Sequence, residues 1–158
     1  MNFDFGSGPV PAHQHPKGGG WVADTADVSP TAYIGPKAKV YGKARVDDTA
    51  SICDKAQVFG EAEVSGRARV FGKARVFGKA KVYGEAKVSG KARITDSVRV
   101  YEYAQVYGEV EIRDDAQIFG YARVCGRVAV SDYAWIFGRV YLYGRGVKIG
   151  GESSIHGG

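Results

Sequence analysis

From Gly20 to Arg145 the chain runs through 21 consecutive six-residue units without an insertion or deletion. The clearest stretch, residues 67–99, reads RARVFGKARVFGKAKVYGEAKVSGKARITDSVR. The third residue of every unit, from Val22, Val28 and Ile34 through to Ile136 and Leu142, is Val, Ile or Leu. Two residues earlier stands a small apolar residue: Ala in 16 units, Val in four (Val98, Val110, Val128, Val140), with Gly20 opening the series. Two residues after the aliphatic slot the chain has Gly in 12 units, Asp in six, and Pro30, Pro36 and Glu102 in the others. Small-in, polar-out, aliphatic-in is a three-residue β segment. Gly and Asp tolerate the left-handed backbone of a tight corner. Asp48, Asp54 and Glu102 are therefore read as turn residues and not as a catalytic carboxylate pair.

A short strand followed by a corner, repeated without variation, must coil into an all-β solenoid whose interior is a stack of Val and Ala ladders. The pattern resembles the hexapeptide-repeat proteins, which fold as a left-handed parallel β-helix. That resemblance covers residues 20–145 and implies a triangular solenoid with three units per coil, 18 residues per coil, and a homotrimer as the family's usual assembly. On that geometry the 21 units make about seven coils, roughly 33 Å tall at the usual strand spacing.

The uninterrupted repeat predicts one domain over 20–145, with a Gly/Pro-rich N-terminal arm or cap at 1–19. After Arg145 the rhythm slips: Val147 and Ile149 are one place out of register, and 146–158 reads as a C-terminal cap or tail. No apolar run approaches membrane length and no basic-then-apolar signal opens the chain, so no membrane span is expected, and a cytoplasmic protein is. Cys53 and Cys125 share a corner column roughly 19 Å apart along the axis, too far to pair within one chain.

The outward slot is basic in six consecutive units: Arg69, Arg75, Lys81, Lys87, Arg93 and Arg99. Successive units lie on successive faces, so these residues place two positive charges on each face and form a belt two coils thick. Residues 67–99 carry +8 in a chain of net +5. Stacked like charges cost energy unless counter-ions or a partner screen them. The belt reads either as a polyanion site, for nucleic acid, acidic polysaccharide or lipid phosphate, or as a solvated, aggregation-resistant β surface.

Beyond residue 100 the decoration becomes aromatic. Tyr101, Phe119 and Phe137 share one corner column, which Tyr83 extends below. Tyr103 and Tyr121 share the next column, and Trp135 precedes them on the adjoining face. Such an edge is either an interface or a ring ladder that supports the solenoid.

Signals for chemistry are few. By resemblance, hexapeptide acyltransferases use a histidine on or near the coils, and the carbonic anhydrases of the fold need three around zinc. Between Gly20 and Arg145 there is none, so no catalytic residue carries over and no cofactor is expected. Only His13, His15 and His156 remain, at the ends. The sequence holds no Walker loop, zinc-type cysteine spacing or nucleophile elbow. It also lacks the threonine rows of an ice binder and the acidic surface of a DNA mimic.

The entry Gly18-Gly19-Gly20-Trp21-Val22 resembles a bacterial and prophage subgroup of hexapeptide proteins described as transferases on their fold alone, which says little about chemistry. His13-Gln14-His15 reads either as part of a polar arm or, by resemblance to trimeric phage spikes, as a ligand pair for a metal at a three-fold tip. Three expectations follow. The first is a non-catalytic, phage- or prophage-encoded interaction protein that binds a protein complex or polyanion through the belt and the aromatic edge. The second is an acyltransferase-like enzyme with a site between subunits. The third is a virion spike component with a metal tip.

Overall fold

The computed structural model describes residues 1–158. It contains 23 strands and no helix. Each unit supplies a two-residue strand made of its outward residue and its aliphatic one, such as Arg69–Val70 and Lys87–Val88. Strands pair in parallel with those 18 residues away, Arg69 with Lys87 and Val70 with Val88. Three columns of strands result. We call them face X (Trp21–Ala23, Lys39–Val40 and onward), face Y (Asp27–Val28 onward) and face Z (Tyr33–Ile34 onward), meeting at corners XY, YZ and ZX. The chain is thus a parallel β-solenoid of about eight turns.

The pairing continues around the corners. Arg69, Phe71 and Lys73 donate their amides to the carbonyls of Ala86, Val88 and Gly90 at 2.9, 3.0 and 2.7 Å. Most backbone amides of the strands bond a carbonyl one coil away, and the first amide of a unit closes the corner locally, as Ala74 does to the Phe71 carbonyl at 3.4 Å. Ala and aliphatic slots both point inward and form one cluster of 38 buried residues, with Val98, Val110 and Val128 filling Ala positions.

The corner residues explain themselves locally. Asp48, Asp54, Asp96, Glu102, Asp114 and Asp132 all have φ between 55° and 63°, the left-handed region that glycine occupies at neighbouring corners. Their carboxylates recover part of that strain by accepting an amide one coil above: Asp48 from Gly66 at 2.9 Å and Glu102 from Gly120 at 2.7 Å. An Asp in place of Gly therefore adds a rung to the corner.

At the N-terminus, Asn2–Asp4 and Pro9–Gln14 form an antiparallel hairpin, whose second strand lies antiparallel on Trp21–Ala23. The Asp4 carboxylate accepts the Gly6 and Gly8 amides at 2.7 and 3.0 Å and so fixes the turn. Its pKa is held below the usual carboxylate value, first by the Gly6 amide.

At the other end, Tyr141–Ile149 pairs with Arg123–Val130, and the register slips between Arg127 and Val128 to admit one extra residue, Gly146. Ser154–Gly157 then pairs with Trp135–Gly138. The slip in sequence is a bulge, and 146–158 winds on as a further turn with Val147, Ile149 and Ile155 against the core.

Candidate interaction surface

All six belt residues point outward, in ladder pairs Arg69 with Lys87, Arg75 with Arg93, and Lys81 with Arg99. Only Lys81 has a carboxylate partner, Glu63 at 3.6 Å. Three of the arginines are held against rings. Arg69 lies 5.5 Å over Phe71, Arg93 lies 5.6 Å over Phe77, and Arg75 lies 5.0 and 5.7 Å from the centres of Phe59 and Phe77. Such stacking fixes a guanidinium while its remaining donors can still reach a ligand, although Arg75 Nε is itself buried.

The belt is symmetric about the axis, but the corners are not. Corner ZX carries Lys37, Lys55, Lys73, Lys91, Arg127 and Arg145 against Asp54 and Glu109, a net +4. The faces that meet there are also basic. Face Z has Arg69, Lys87 and Arg123 with no acid, and face X has Lys39, Arg75 and Arg93 with Glu111. Over residues 20–145 the ZX side of the solenoid therefore carries +9, and Lys148, paired with Ala129, adds one more on face X. Face Y with corners XY and YZ carries eight basic and twelve acidic residues, a net −4, because most of the corner aspartates fall there. The prism is polarised across its axis. The lysine column is visible in sequence only when residues 18 apart are read together, and reading consecutive units passes over it.

The six aromatic residues gather at corner YZ. Tyr83, Tyr101, Phe119 and Phe137 stack face to face at 5.0, 4.9 and 4.9 Å, and His156 continues the column 5.2 Å from Phe137. Tyr103 and Tyr121 stack at 4.9 Å beside them, and Trp135 meets Phe119 edge-on at 6.2 Å. Tyr103, Tyr121 and Trp135 are about half exposed, at 47%, 56% and 47%, while Tyr101, Phe119 and Phe137 are partly covered by one another. A second ladder, absent from the sequence reading, runs up corner XY. Phe5, Tyr41, Phe59 and Phe77 stack at 4.8 Å intervals, which ties the N-terminal hairpin to the coils.

The histidines do not converge. His13 Nδ1 is 2.8 Å from an Asp24 carboxylate oxygen. His15 is buried; its Nδ1 accepts the Lys17 amide at 3.2 Å, and its Nε2 donates to the Ser29 carbonyl at 3.1 Å. His156 lies at the opposite end of the solenoid. No group of three or more His, Cys, Asp or Glu side chains is arranged to hold a metal. Cys53 and Cys125 are both free thiols on corner ZX. The Cys125 thiol is 3.6 Å from the Tyr141 hydroxyl. Hydrogen bonding to that thiol, with burial second, pushes the Tyr107 phenol up to about 12.

Depressions are shallow. One of about 510 Å3 lies on corner ZX between Glu109, Arg127, Tyr143 and Arg145, and one of about 370 Å3 lies under the hairpin between Phe5, Val10, Pro11 and Tyr41. Fold and surface together define a rigid parallel β-solenoid with a basic ridge, an acidic opposite side and two ring-stacked corners. Neither a protein-family model, nor a curated protein, nor a solved structure matches this chain.

Proposed function

We propose that this chain is a non-catalytic member of the hexapeptide-repeat, left-handed β-helix proteins, encoded by a phage or prophage, whose work is to bind a partner through the basic belt and the aromatic edge. The observation that carries this reading is the set of five belt cations without a carboxylate partner, three of them held on aromatic rings. Surface charge kept only for solubility needs no such preorganisation, whereas a binding surface gains affinity from it. The acyltransferase reading, which draws on His13 or His156, has less support, since His13 is engaged by Asp24 at 2.8 Å, His156 stacks on Phe137, and no insertion leaves the coils to build an acceptor pocket. A trimer fits the aromatic edge better than the belt, because a three-fold contact through the belt would bring like charges together.

The test is capture from bacterial lysate, with and without nuclease. The wild type is compared with a variant in which Arg69, Arg75, Lys81, Lys87, Arg93 and Arg99 are Gln. Retention of a specific complex or nucleic acid by the wild type alone supports the belt. Equal retention by both, or none by either, removes it.

A further inference from the structure

We propose that corner ZX is a sequence-independent docking ridge for B-form DNA, with the ridge seated in the major groove. This rests on the preceding reading that the basic surface binds a partner, and it assigns that partner's class.

The crest is Lys37, Lys55, Lys73 and Lys91, one per coil, of which only Lys91 has a carboxylate nearby, Glu109 at 3.6 Å. Behind Lys73 and Lys91 the corner is glycine, while behind Lys37 and Lys55 it is Pro36 and Asp54, whose carboxylate accepts the Gly72 amide at 3.0 Å. Gly72 and Gly90 have φ of 68° and 67°, and a Cβ at Gly72 would sit 3.0 Å from the Gly90 amide nitrogen. At Gly72 and Gly90 the ridge is therefore narrow, with the lysines at its tip and Phe71 and Ser89 half-buried beside them. Three columns closing a prism turn the backbone by about 120° at each corner, so faces Z and X fall away on either side of the crest. Arg69 and Lys87 stand on one flank, with Arg69 braced on Phe71 at this corner, and Arg75 and Arg93 stand on the other, braced on Phe59 and Phe77 at the outer edge of face X.

A wedge with positive charge on crest and both flanks fits a ligand with two anionic walls. A membrane is a plane and can meet only one flank, and a single strand offers one line of phosphates and can follow only the crest. The major groove of B-DNA is about 12 Å wide and bordered by phosphates on both sides. The crest spans three coil steps, about 14 Å at the usual strand spacing. That matches about four base-pair steps of about 3.4 Å, short enough to lie in the groove before it turns away from a straight rod. Flexible lysine ammonium groups at the tip supply charge without a fixed donor pattern, so binding is independent of base sequence. Double-stranded RNA has a deep, narrow major groove that side chains cannot enter.

The experiment is fluorescence anisotropy of the intact chain with labelled 24-base-pair DNA of two unrelated sequences, measured over a salt series. Single-stranded DNA, double-stranded RNA and phosphatidylserine vesicles form the other arms. Both DNA sequences are expected to bind alike and tighter than the other three ligands, with about six phosphate contacts giving a log–log salt slope near −5. Replacing Lys37, Lys55, Lys73 and Lys91 by Gln should weaken binding at least ~100-fold at 0.1 M salt and flatten the slope by about 3 to 4. Replacing Lys43, Arg45, Lys79 and Arg113, on the opposite side, removes the same charge and should leave binding within about three-fold. Equal loss in both variants overturns the ridge assignment, as does tighter binding to any other arm. Undiminished binding to a duplex with bulky cytosine 5-substituents, which fill the major groove, also overturns it. If no DNA binds while the lysate capture still yields a protein complex that depends on the belt, this inference fails and the preceding reading stands.

Discussion

The guanidinium of Arg75 lies 5.0 Å from the ring centre of Phe59, and its Nε is buried without a hydrogen-bond partner. The stack contributes about 0.5 to 1 kcal/mol, while the unpaired donor offsets a similar amount. Arg75→Gln is therefore expected to change stability by less than about 1 kcal/mol. Phe59→Leu removes the ring from both Arg75 and Tyr41 and costs more. A double-mutant cycle in urea should return a coupling of about 0.5 to 1 kcal/mol, and no coupling would show that the guanidinium is not held by the ring.

At Asp48, with φ of 56° and a 2.9 Å bond to the Gly66 amide, the strain and the rung oppose each other. Asp48→Gly relieves the first and loses the second, and should fall within about 0.5 kcal/mol of the wild type. Asp48→Ala keeps the strain and loses the rung, at a cost of about 1 to 2 kcal/mol. Thermal unfolding of the pair decides it: equal effects would mean that the left-handed backbone carries no strain, and an Asp48→Ala chain as stable as the wild type would mean that the carboxylate contributes nothing.

Tyr107 predicts a pH dependence. Its pKa rises from 10.0 to about 12 in the fold, so the folded chain holds the phenolic proton more tightly than the unfolded one. Its contribution is fully present below pH 10 and is lost as pH rises through about 12. Tyr41, Tyr83, Tyr101 and Tyr141 are also raised, so spectrophotometric titration should find several late-ionising tyrosines, and Cys125→Ala should bring Tyr107 back toward the ordinary value.

Ala86 is fully buried in the small slot, a position that Val98, Val110 and Val128 fill elsewhere in the same core. Ala86→Val should be accommodated at a cost below about 1.5 kcal/mol, whereas Ala86→Phe overpacks the interior by about 3 kcal/mol or more. Chemical denaturation of the two variants ranks them, and equal stability would contradict a tightly filled axis.

The solenoid was legible because its code is local. Ala86 and Val88 declare two inward positions within three residues, and Asp48 declares a corner by itself. What depends on three-sidedness was harder to see. Lys37, Lys55, Lys73 and Lys91 are neighbours only after the chain has gone round once each time, as are Tyr41, Phe59 and Phe77. The belt residues, which are periodic in consecutive units, stood out more than these columns, yet they do not set the polarity of the surface. The N-terminal hairpin carries no period, and its pairing follows from a turn at Gly6 and Gly8 and a ring stack from Phe5 to Tyr41. The slip at Gly146 was visible, but whether the chain left the coil or wound on depended on Ile149 and Ile155 finding the core again.

The constant 18-residue spacing between partners, as from Val70 to Val88, also shapes how the chain reaches this structure. Each closure along the repeat spans the same short loop and costs about 2.6 kcal/mol of chain entropy, however far along the chain it occurs. A separation of 18 in 158 residues is about 0.11 of the length, a locality typical of helical bundles and well below that of most β proteins. The parallel coils of this design can therefore nucleate on any two adjacent turns and zip outward in both directions, without the long-range search that makes most parallel sheets slow to form.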